Sequence, residues 1–214
     1  MIQASDVAYR KVKSMIFRGS LGPGQRLVER TLARELGVSR IPVREGLARL
    51  ESEGLVRSVP NSATFVEDFV PRDVLEIFSM RLLLEPLAAR LNAARPSAKL
   101  VIHLRRQCSR MADHVAAGDW ARLEEADYQF HRLIVRASAH RRLLRAYDGS
   151  HIHIIGLKAG RANMPASQAS SAALEHERIV RCIERGDPDA AERAAHDHVK
   201  RAMTRIERVL SVRL

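Results

Sequence analysis

The run LVRSVPNSATFV at 55–66 reads as strand in this 214-residue chain, and everything after Arg72 repeats its apolar residues at helical spacing. A chain so patterned can build one small hairpin and otherwise little but helices. Val56, Val59, Thr64, Phe65 and Val66 read as two short strands around a turn at Pro60 and Asn61. Upstream, Val7, Ala8, Val12, Met15 and Ile16 share one face of a helix over 5–18, which Gly22, Pro23 and Gly24 break. Glu29 to Leu36 follows as a short helix with Leu32, Ala33 and Leu36 inward, ended by Gly37. Ser39 can then cap a third helix to about Glu53, where Pro42 is tolerated because it falls in the first turn. Three helices and a hairpin over residues 1–66 predict a winged helix-turn-helix.

Residues 67–71 (EDFVP) read as a linker, and 72–214 as an all-α bundle of about six helices, at 72–94, 98–117, 119–138, 140–158, 168–185 and 188–211. Pro96, Gly118, the 160–165 region and GDPD at 186–189 separate them. The fold class expected is therefore mainly α.

The two parts differ in chemistry. The chain carries a net charge of +11, and residues 1–66 hold 11 Lys/Arg against 6 Asp/Glu, the denser positive region, which favours a polyanionic partner. All nine histidines lie beyond residue 102. No apolar run approaches the ~20 residues of a membrane span, and the N-terminus alternates polar and apolar residues unlike a signal peptide, so a cytoplasmic protein without membrane association is expected. Cys108 and Cys182 are too few and too far apart for a disulfide framework or a zinc pair and read as buried or incidental thiols.

In a helix-turn-helix the second helix enters the major groove of double-stranded DNA. Here that helix turns Val43, Leu47 and Leu50 inward, which leaves Arg40 and Arg44 one turn apart on another face. Arginine's planar fork can pair with guanine O6 and N7 or clamp a phosphate, so these two are the candidate groove contacts, with Arg30 and Ser39 on phosphates or adjacent bases. One short helix reads too few bases to find a genomic operator alone, so a homodimer is expected.

Asp127 and His131, four apart in DYQFHRLIV, share a helix face bordered by Phe130, Ile134 and Val135. His176 lies one turn before Ile179 and Val180. In the last helix His198 falls within the stripe Ala191, Ala195, Val199 and Ala202, whereas His196 is rotated away beside Arg193 and Lys200. One carboxylate and three inward imidazoles suit a divalent transition metal, zinc foremost, with nickel, manganese or iron as alternatives. His151 and His153 are rival ligands. Arg81 interrupts the inward stripe of its helix, and either pairs with Glu85 one turn later or awaits an incoming carboxylate. A metal-dependent, hydrolase-like enzyme is the alternative reading of the site, but it lacks a convincing general acid or base and leaves the N-terminal motif unexplained.

The run LARELGVSRIPVREGLARLESEGLV resembles the signature of the GntR family of bacterial regulators, a GVSR-x-PVRE-x-L run, with Ile41 where a threonine is usual and Ala63 where a wing-tip glycine is usual. The later pattern, Asp-x-x-Phe-His, then Glu-His, then a GD turn and a histidine twenty-two residues beyond the one before, is similar to the FCD branch of that family, though His140 stands where asparagine is frequent. The resemblance implies a one-component transcriptional repressor and no enzyme. It also implies a metal on Asp127, His131, His176 and His198, and a small organic acid bound beside it with Arg81 as its contact.

Overall fold

The computed structural model describes residues 3–17, 19–60, 63–68, 71–150 and 166–210, and divides the chain into two units, 1–70 and 71–214. In the first unit α1 (Ala4–Phe17), β1 (Arg26–Leu27), α2 (Glu29–Leu36), α3 (Arg40–Ser52), β2 (Val56–Val59) and β3 (Ala63–Val66) make the winged helix-turn-helix. Ala8, Val12 and Ile16 of α1 bury against Val43, Leu47 and Leu50 of α3, with Leu32, Leu55 and Val66 completing the core. The α1 and α3 backbones touch: a Cβ added at Gly46 would lie 2.9 Å from the Tyr9 backbone nitrogen. Outside that contact, Tyr9 and Lys13 both donate to Glu53, at 2.5 and 3.0 Å.

Two local expectations need correction. The hairpin is part of a three-stranded antiparallel sheet, ordered β1-β3-β2, in which Arg26 pairs with Phe65 and Leu27 with Thr64. A two-residue strand is too short to leave a periodic signal; bonds from Gly24 N to the Val66 carbonyl and from Val66 N to the Gln25 carbonyl hold it in place. Ser39 occupies the cap position of α3 with extended backbone, yet its hydroxyl makes no capping bond. Gly37 does end α2, at φ +68°, a conformation that glycine adopts without strain.

The second unit is helical throughout its described residues: α4 (Pro71–Ala93), α5 (Ala98–Ala116), α6 (Trp120–Ala137), α7 (Arg141–Gly149), α8 (Ala166–Glu184) and α9 (Pro188–Leu210). Phe78, Leu104, Phe130, Val135, Tyr147, Ile179, Ile183 and Val199 form its core. The α4 helix lies along α9, and α5 packs on α6 and α8. Asn92, buried on α4, donates to the Ala88 carbonyl at 2.8 Å and to the Ile134 carbonyl at 2.7 Å, pinning α4 to α6. Pro86 sits inside α4, where it has no N–H to give the carbonyl of Leu82. The helix expected over 140–158 ends at Gly149 within the described residues, and the expected turn residue Asn61, the break at 160–165 and both rival histidines, His151 and His153, lie outside them.

His140 acquires a role here. Its Nδ1 accepts from Leu143 N at 3.1 Å, so imidazole caps α7 as an asparagine side chain would. Cys108 is buried, and burial, with Glu177 next, pushes its thiol up to about 12, so it stays protonated and unreactive. No helix among the described residues is long and apolar enough to cross a membrane.

Candidate metal centre and nucleic-acid interface

The arginine-bearing end of α3 is organised by a residue outside it. Burial of Val43, Leu47 and Leu50 turns the opposite face outward, and there the Arg40 and Arg44 side chains are 63% and 66% exposed. Both reach Glu29 on α2. Arg44 makes a two-pronged pair, Nε to Oε1 and Nη2 to Oε2, each 2.9 Å, while Arg40 Nη2 donates to Oε2 at 3.3 Å. Bonding from Arg44 holds the Glu29 carboxyl below its usual range. Glu29 was not singled out in the sequence, because eleven and fifteen residues separate it from its partners and no helical period links them. Arg30 and Ser39 are exposed, as is Ile41, at 69%.

Four helices of the second unit build the other site. From α6 come Asp127 and His131, from α8 Glu175 and His176, from α9 His198, and from α4 Arg81 and Glu85, and all of these are buried. The helical period decides which groups enter: His198 is inside, whereas His196, two residues earlier, is exposed beside Asp197. His131 Nε2 lies 3.3 Å from His176 Nε2 and 3.2 Å from His198 Nε2. Asp127 adds Oδ1 at 3.3 Å from His176 Nε2 and Oδ2 at 3.9 Å from His131 Nε2.

The protons on these rings are set from behind. His131 Nδ1 donates to Glu85 Oε2 at 2.9 Å, and His198 Nδ1 donates to Glu175 Oε2 at 2.8 Å. Each carboxylate is in turn held by a guanidinium. Arg81 donates to Glu85 through Nε at 2.6 Å and Nη2 at 3.3 Å, and Arg201 Nε donates to Glu175 at 2.7 Å. Burial alone would raise Glu85, but Arg81 and then His131 outweigh it and hold the carboxyl at about 2. Burial likewise opposes ionisation of Glu175, and His198 and Arg201 overcome it. For His198 burial dominates and lowers the imidazole, favouring the neutral ring.

With Nδ1–H committed to a carboxylate, the Nε2 atoms of His131 and His198 carry lone pairs, and these point toward each other and toward His176. Lone pairs at about 3.2 Å repel unless a cation lies among them, and three imidazoles with an adjacent carboxylate are a donor set suited to a divalent transition metal. The chemistry of the residues thus fits a metal. Arg81 is found with Glu85, the pairing weighed against an effector contact, and it also lies over the Phe78 ring. Glu175 was legible only as the neighbour of His176, and the link from Glu85 to His131 crosses between helices 46 residues apart in sequence.

Comparison with known proteins agrees across the chain. Residues 4–66 match the bacterial regulatory proteins, gntR family, and residues 76–201 match the FCD domain. The chain is 33% identical over 185 residues to the probable D-xylose utilization operon transcriptional repressor of Paenarthrobacter nicotinovorans, covering 86% of this chain and 80% of that protein. It is 28% identical to the uncharacterized HTH-type transcriptional regulator YdhC of Bacillus subtilis, covering 94% and 90% of the two. Among solved structures, E. coli McbR/YncC superposes with a TM-score of 0.80 at 20% identity over 98% of this chain and 99% of that one.

Proposed function

Because the chain belongs to the GntR family of bacterial regulatory proteins and carries an FCD domain, we propose that it is a transcriptional repressor whose affinity for its operator is set by a metal-anchored organic acid. The family and the relatives are transcriptional regulators, not enzymes, and the hydrolase reading is set aside. The repressor sense is taken from the P. nicotinovorans relative. The division of labour follows the chain, with 1–66 reading DNA, 67–71 linking and 72–214 sensing and dimerising.

On the DNA side, Arg40 and Arg44 contact the major groove, with Arg30 and Ser39 on phosphates or adjacent bases. Glu29 keeps both guanidinium groups gathered at the end of α3 until bases or phosphates replace it. On the sensing side, Asp127, His131, His176 and His198 would hold the metal, zinc foremost, and when bound it supplies a Lewis-acidic anchor for a carboxylate oxygen. Arg81 sets the charge of the same site through Glu85 and is the contact for an incoming acid. The observation that carries this reading is the convergence of the three Nε2 atoms, two of them on rings whose Nδ1 faces Glu85 or Glu175.

A homodimer completes the model. Met80, Leu83 and Leu87 form an exposed apolar row on α4, with Leu83 68% exposed, and a second copy related by two-fold symmetry would lay the same row against itself. The acid then acts by favouring one arrangement of two DNA-binding units over another, a coupling of typically about 1–3 kcal/mol.

Metal analysis of natively purified protein, followed by operator-shift titrations of metal-loaded and chelated protein with and without carboxylic acids, tests the reading. Bound metal that disappears in His131→Asn and His198→Asn, with an acid-dependent change in operator affinity, is expected. Protein that purifies without metal and takes none up overturns the metal assignment, and operator affinity indifferent to every acid overturns the sensing.

A further inference from the structure

Tyr147 is buried to 1% exposure in the core of the C-terminal unit, yet its hydroxyl has no hydrogen-bond partner among the described residues. An orphaned buried hydroxyl costs about 1–3 kcal/mol, so a native chain keeps one chiefly where something else satisfies it. The ring itself is held firmly. It stacks on Tyr128, the residue after Asp127, with centroids 6.5 Å apart and planes 13° from parallel. The helix that carries it, α7, packs against α4 and α6, which supply Arg81, Glu85, Asp127 and His131. The hydroxyl lies where the charges of Glu85, Arg81 and Asp127 act on it. Burial first, and Glu85 next, keep its proton on far above the ordinary phenol range, so the group is a donor at any physiological pH.

The neighbouring guanidinium does not fill that role for a newcomer unaided, because Arg81 turns Nε and Nη2 to Glu85. An acid entering beside the imidazoles brings oxygens that need a donor. A neutral phenol supplies one without adding charge to a site whose arginine is already balanced. We propose that Tyr147 is a ligand-binding residue of the sensor site, its hydroxyl donating a hydrogen bond to an oxygen of the carboxylate effector. The assignment rests on the carboxylate reading given above. A trapped water taking the same hydrogen bond is the competing account.

Tyr147→Phe removes the hydroxyl and keeps the ring, its burial and its stacking. Zinc-loaded wild-type and variant proteins would be titrated calorimetrically with formate, acetate, oxalate and citrate, with zinc content and melting temperature measured on both. Wild-type protein is expected to bind at least one of these acids about tenfold more tightly than Tyr147→Phe, with zinc content unchanged and the acid-free variant melting no lower than wild type. Equal affinities overturn the role of Tyr147 and leave the carboxylate reading standing. If the wild type binds none of the four, both fall. A melting temperature lowered by several degrees in the variant reveals a structural hydroxyl and also overturns the assignment.

Discussion

His131 Nδ1 donates to Glu85 Oε2 across 2.9 Å, while Nε2 of the same ring faces His176 and His198. The carboxylate thereby fixes the tautomer and the direction of the lone pair, as outer partners of metal-bound histidines generally do. Glu85→Gln removes the charge while leaving an acceptor. Its zinc affinity, measured by competition with a chelator, is expected to fall by about ten- to a hundredfold. Glu175→Gln should act alike through His198, and affinities equal to wild type in both variants would show that these carboxylates do not govern the rings.

The two-pronged pair with Glu29 ties the Arg44 guanidinium of α3 to α2. Arg44→Ala is expected to weaken operator binding by about 1–3 kcal/mol, read by fluorescence anisotropy at fixed salt. Whether Arg44 reads a base or a phosphate separates cleanly in the same assay. Loss of discrimination between operator and scrambled DNA marks a base contact, and uniform weakening with a salt slope shallower by about one marks a phosphate.

Gly46 leaves no room for a methyl group, since its Cβ position is 2.9 Å from backbone that cannot move independently of α1. Gly46→Ala raises intrinsic helix propensity but must push α1 from α3. A net destabilisation of about 1–3 kcal/mol in urea unfolding is expected. A variant as stable as wild type would mean that α1 shifts freely.

The row Met80, Leu83 and Leu87 predicts that Leu83→Asp yields monomers in analytical ultracentrifugation and weakens operator binding, without altering zinc content. A Leu83→Asp protein still dimeric at micromolar concentration would place the interface elsewhere.

Much of this was legible in the chain because helices repeat. A turn of 100° per residue separates His198 from His196 and sets Asp127 above His131, and the structure buries His198, Asp127 and His131 and exposes His196. The GVSRIPVRE run likewise announces its helix through Gly37 and Pro42. What periodicity cannot carry is pairing between elements. Glu29 with Arg44, Glu85 with His131 and Glu175 with His198 depend on how helices are laid side by side, and β1 is bound to β3 by bonds that leave no trace in a two-residue sequence. The histidine cap at 140 was hidden for another reason: imidazole nitrogen replaces an amide oxygen, and composition does not reveal the substitution.

Pro86 follows directly after the carboxylate that steers His131, and three residues beyond the exposed Leu83. A proline at that point removes one rung from the hydrogen-bond ladder of α4 one residue past Glu85, so the helix is least braced there. That point lies between the carboxylate facing His131 and the exposed apolar row of Met80, Leu83 and Leu87. A load placed on Glu85 therefore falls beside a turn of this 23-residue helix that has lost a backbone bond.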